Sequence, residues 1–195
     1  MARLAHDSGT GANSWRMARW VTAALLLLVP LITMQVTGEL NWDGFDFAAA
    51  GTLIFGALLA YELLARTAGS LAYRAAAATA LATSLLLVWL NLAVGIIGSE
   101  DNPANLMFAG VLAVGAAAAL LARFRPAGMA RGLLATTIAQ SAVGLIAVAG
   151  GLGRPASPPL ELLGLTAFFA ALWLLSAWLF WKSARDLQPN LRSAQ

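Results

Sequence analysis

The sequence predicts an all-α protein, a polytopic transmembrane bundle of six helices with both termini cytoplasmic. Three observations carry that prediction. Hydrophobic residues make up 60% of the chain and charged residues only 11%, against roughly a quarter charged in soluble domains, and mean hydropathy is +0.76. Apolar runs, each long enough to cross a hydrocarbon core of about 30 Å as a helix, alternate with short clusters that hold nearly all the ions. Eleven of the twelve basic residues, all but Arg154, fall in the gaps that a six-pass path puts on one face, the cytoplasmic face under the positive-inside rule. A transmembrane barrel is excluded by stretches such as Ala23 to Val29, which are apolar throughout instead of alternating.

The runs lie at residues 18–37, 44–65, 75–98, 104–122, 132–152 and 160–181. They divide the chain into a cytoplasmic N-terminal tail 1–17, a membrane domain 18–181 and a cytoplasmic C-terminal tail 182–195. Arg3 and Arg16 precede the first run and Arg19 stands at its start; the run continues through Pro30 to Thr37 without a small-x-small cleavage site, so it reads as a retained span.

The second run places small residues Ala48, Thr52, Gly56 and Ala60 on one stripe and ends near Glu62, the one acid clearly inside a span. An i, i+4 ion pair with Arg66 accounts for Glu62. In the third run, Ala77, Ala80, Ser84, Asn91, Gly95 and Gly98 recur at three-, four- and seven-residue steps, a stripe suited to close helix contact. Asn91 is therefore expected to face the interior and to hydrogen-bond across to helix 2, 4 or 5. At Ser99-Glu100-Asp101-Asn102-Pro103 the chain turns on the outer face, with Asn102 as N-cap and Pro103 at the first helical position. Helices 3 and 4 should form a tight hairpin there. Helix 5 repeats the small stripe with Thr136, Thr137, Gln140, Gly144, Ala147 and Gly151. Helix 6 carries Phe168, Phe169, Trp173, Trp178 and Trp181 around its axis and is expected to be the most lipid-exposed, with Trp178 and Trp181 in the inner interfacial belt.

Several chemistries are closed to this chain. It has no cysteine, and its single histidine is His6 in the N-terminal tail, which excludes disulfides, thiolate metal centres, a cysteine nucleophile and haem on embedded histidines. No cofactor and no metal site is predicted. The pI of about 10.2 is a topology signal and not a nucleic-acid footprint, because no basic run interleaved with aromatics exists.

Two groups of polar residues remain. Asn91, Gln140, Ser84 and Glu62 form a candidate polar interior, and Asp43, Asp46, Glu100 and Asp101 a candidate outer acidic cluster. The amides read first as interhelical glue, worth about 0.6 kcal/mol each, and the acids as capping and solvation. Their functional alternatives are a polar path through the bundle and a cation or partner site at its mouth.

The segments Asn91 to Met107, Arg123 to Arg131 and Asn41 to Phe47 resemble a family of uncharacterised small multi-pass bacterial inner-membrane proteins. The resemblance covers most of residues 18–182 and implies a bacterial inner-membrane location, with no functional residue to carry over. The expected function is a non-enzymatic accessory or oligomerising membrane component, whose partners are the lipid bilayer and a second copy or another membrane protein. The alternative is a small transporter or channel with a polar path near Asn91 and Gln140.

Overall fold

A computed structural model describes the backbone of residues 8–36, 42–66 and 68–192, with side chains for residues 17–36, 42–66 and 68–186. Arg3, His6, Glu39 and Asn41, and the side chains of Arg16 and Arg192, lie outside the described residues. Over the described residues six α-helices follow in order: α1 Ser8–Val36, α2 Gly44–Arg66, α3 Leu71–Ala93, α4 Met107–Leu121, α5 Pro126–Ala149 and α6 Pro159–Arg192, with a 3₁₀ turn over Pro103–Leu106 leading into α4. Among the described residues there is no strand. Each helix contains or joins a stretch long and apolar enough to cross a membrane, so the chain has the build of a multi-pass membrane protein. α1 starts well before the predicted span and α6 continues well past it, so both predicted tails contain helix.

The chain divides into two compact units, residues 1–62 and 63–195. In the first, α1 meets α2 antiparallel through side chains: Trp20 stacks on Phe55 with ring centroids 5.8 Å apart, and Leu27 lies over Gly51. α2 opens on a reciprocal cap. Asp43 Oδ1 accepts from the Phe45 and Asp46 backbone N–H groups at 2.7 and 3.0 Å, while Asp46 Oδ2 accepts from the Asp43 N–H at 2.9 Å, which satisfies donors that a helix start leaves open. The predicted small stripe of helix 2 is not turned to α1, since Ala48, Thr52 and Gly56 are exposed.

In the second unit α3 packs on α6, α6 on α5, and α5 on α4, whereas α3 and α4 scarcely touch. The expected tight hairpin is therefore absent. Its cause is the early stop of α3 at Ala93. Gly95 and Gly98 take left-handed φ values of 71° and 78°, and the Gly95 N–H reaches back to the Leu90 carbonyl at 3.1 Å. A side chain on Gly95 would run into the Ser99 backbone, so glycine is required there. Ile96 and Ile97 extend the apolar run past the helix because they are buried within the turn, at 3% and 0% exposure.

α5 is the most buried helix of this unit and α4 the least. Glycines set its close approaches: a Cβ on Gly128, Gly132 or Gly144 would collide with Ala122, Ala118 or Thr166. The expectation that helix 6 is the most lipid-exposed is wrong. Leu162, Phe169, Trp173, Ala177 and Phe180 are buried on one face, and that bulk fills the space left by small residues such as Ala76 and Ala77 of α3, which are themselves buried. Tyr73 of α3 meets Phe180 edge-on at 5.0 Å, Ser70 bonds Ser183 at 2.8 Å, and the Tyr73 hydroxyl donates to the Phe124 carbonyl at 2.8 Å. That last bond holds the α4–α5 turn, in which Arg123 and Phe124 both have positive φ.

Candidate functional site

At the end of the second unit that carries Glu100 and Asp101, two loops are fastened together by uncharged side chains. Asn105 Oδ1 accepts from the Ile96 and Ile97 N–H groups at 3.1 and 2.9 Å, and its Nδ2 donates to the Ser99 carbonyl at 2.7 Å. Ser157, from the α5–α6 loop, accepts from the Gly98 N–H at 3.0 Å. Asn102 caps the 3₁₀ turn as predicted, accepting from Ala104 N at 3.0 Å, and it also donates to the Leu152 carbonyl at 2.9 Å. Glu100 and Asp101 are exposed. Asp43 and Asp46 are engaged in capping α2. Among the described residues no three His, Cys, Asp or Glu side chains gather as a metal-binding set.

Asn91 does not bond across a helix interface. Its Nδ2 donates to the Leu87 carbonyl one turn back at 2.8 Å, and its Oδ1 is buried with no partner. A short polar side chain within a helix reaches its own i−4 carbonyl more readily than a neighbouring helix. Ser84 does the same toward Ala80 at 2.9 Å; both residues are half-buried. The fully buried face of α3 is Tyr73, Ala76, Ala77, Thr83 and Leu87; it shares Ala77 with the predicted stripe and is centred about 40° round the helix from it at about 100° per residue.

Gln140 is placed as predicted, in the buried stripe of α5 with Thr136, Thr137, Gly144 and Ala147. Its Oε1 has no partner, and neither does Trp173 Nε1 on α6. The Gly144–Thr166 contact sets an antiparallel register that puts these two atoms' residues within one turn of the same level. The hydroxyls nearby are used up: Thr83 donates to Thr79 at 2.7 Å, Thr136 to Gly132 at 3.0 Å, and Ser176 to Ala76 of α3 at 2.8 Å. This layer holds one spare acceptor, one spare donor and no ionisable group.

Glu62 belongs to the first unit and is 5% exposed. The sequence offered Arg66 as its partner; the residues that the structure brings to it come from α1. Trp20 Nε1 donates to its carboxylate at 2.9 Å, and Arg19 stands 3.5 Å away with its guanidinium over the Tyr61 ring at 5.6 Å. A buried carboxylate paired in this way anchors two helices, and it uses groups separated by 42 residues.

Sequence reasoning missed Asn105 and Ser157, and it placed Trp173 on a lipid-exposed helix although the residue is buried. Asn105 had one legible signal, an amide two residues beyond Pro103 at the threshold of an apolar run. The chain matches no protein-family model, no curated protein and no solved structure.

Proposed function

We propose that the chain is a non-enzymatic, oligomerising component of a bacterial inner membrane, with both termini cytoplasmic. The observation that carries this reading is the free face of α4. Ala109, Gly110, Ala113, Ala116 and Ala117 are all exposed, and a Cβ at Gly110 would meet nothing within 4 Å. Small residues at this spacing let two helices approach closely, and close packing is what drives helix association in lipid. The family resemblance supports the bacterial location, and the arginine distribution supports the orientation. Reporter fusions after Pro103 and after Pro126 are expected to fall on opposite sides of the membrane; identical readings would defeat the topology.

The absence of native cysteine makes the assembly testable by single-cysteine cross-linking in intact membranes. Gly110→Cys, Ala113→Cys and Ala117→Cys should each give a cross-linked dimer, while Val111→Cys, buried at 1% exposure, should not. Cross-linking at none of the three, or equally at all four, would remove the α4 interface. A transporter is the second reading, supported by the unpaired Gln140 Oε1 and Trp173 Nε1. Loss of solute flux in liposomes on Gln140→Leu, with melting unchanged, would favour it.

A further inference from the structure

At the basic end of the second unit a groove of about 740 Å³ runs between α5 and α6. Its walls are apolar, with Leu134 on one helix facing Leu174, Ala177 and Trp178 on the other, and it also takes in Arg131 and Arg185. Both arginines are exposed. Among the described residues the one ion pair is Arg19 with Glu62, so these two guanidinium groups have no carboxylate. Arg185 lies over the Trp181 ring, its Cζ 3.6 Å from the centroid, and Lys182 Nζ stands 5.9 Å from the Trp178 ring. Stacking on an indole fixes a guanidinium while leaving its edge donors free, and tryptophan pairs of this kind sit at headgroup level.

We infer that this groove binds an anionic phospholipid, with the phosphate on Arg131 and Arg185 and an acyl chain along Leu134, Leu174 and Trp178. Charge selects the occupant. Guanidinium groups without a counter-ion at the membrane interface attract phosphate, to which their paired N–H groups are matched. The walls select lipid over free phosphate. From Ala127 to Leu134 the groove follows α5 for about 10 Å at 1.5 Å per residue, away from the helix start and into the span, where an acyl chain has contacts to make and an inorganic ion has none. The inference is independent of the oligomeric reading and requires only that α5 and α6 cross a bilayer.

The test is the preference of the purified full-length chain for phosphatidylglycerol over phosphatidylcholine, measured by lipid retention in native mass spectrometry and by lipid-dependent melting. A basic residue near an anionic surface contributes about fivefold in affinity, so Arg131→Gln with Arg185→Gln should reduce the preference by roughly thirtyfold. Arg74→Gln, a basic residue outside the groove, should leave it unchanged, and millimolar inorganic phosphate should not displace the lipid. A double variant with wild-type preference overturns the site, and so does an equal loss in Arg74→Gln, which would mean only a diffuse charge effect. Displacement by phosphate overturns the lipid assignment in favour of an anion site. Should the double variant fail to fold, Arg185→Gln alone is read in the same assay, and an unchanged preference is decisive against the proposal.

Discussion

Gly144→Ala should lower the melting temperature in detergent by about 10 °C, corresponding to about 3 kcal/mol, the upper end of the cost of overpacking. The added Cβ would strike Thr166 Oγ1 and stand 2.5 Å from its Cγ2 and 2.8 Å from its Cβ. Because Thr166 is on the neighbouring helix, relief requires α5 and α6 to move apart, and that opens contacts along the most buried helix of the unit. The second substitution Thr166→Ala removes two of the three clashes and should restore most of the loss. A Gly144→Ala protein that melts like wild type, or a pair whose effects simply add, would refute the close approach.

Asn105→Leu should be at least as damaging, through hydrogen bonding instead of volume. The change leaves the N–H groups of Ile96 and Ile97 without an acceptor in a turn where Ile97 is fully buried. Each stranded buried group costs about 1–3 kcal/mol, so a loss of about 4 kcal/mol is expected. Asn105→Asp keeps the acceptor for both N–H groups and gives up the donor to Ser99, so it should cost less than half as much. Amide hydrogen exchange over residues 94–99 provides the local readout, rising sharply in Asn105→Leu and little in Asn105→Asp. Equal melting temperatures for the two variants would show that the amide is not the clamp.

What the sequence made legible was whatever depends on neighbours in the chain. The six apolar runs and the Asn102 cap follow from hydropathy and local capping chemistry, and the stripe of α5 follows from helical period. Misreadings arose where one signal has two physical origins. Ile96 and Ile97 are apolar because a turn buries them, yet within an apolar run they look like helix until Gly95 and Gly98 are read as left-handed positions. The ring of bulk on α6 looks lipid-facing, yet Phe169, Trp173 and Phe180 recur at a spacing that gathers them on one buried face. Glu62 shows the remaining limit. Arg66 is an adequate partner by spacing, but Trp20 and Arg19 are brought to the carboxylate by tertiary structure. Ser157 is harder still, because its Gly98 partner lies 59 residues away and nothing in a Pro-rich loop marks it.

The contact order of the second unit bears on how the protein can be made. α3 is synthesised early, but its main neighbour is α6, and the Ser176 hydroxyl that joins them reaches Ala76 across 100 residues. A helix released into lipid before its mate exists must satisfy its own polar groups. In α3 the hydroxyls of Thr79, Thr83 and Ser84 and the Asn91 amide all donate to carbonyls one turn back in the same helix. These four side chains of the early helix find their acceptors within it, whereas its Tyr73 hydroxyl waits for the Phe124 carbonyl and the late helix carries the Ser176 donor that closes the pair.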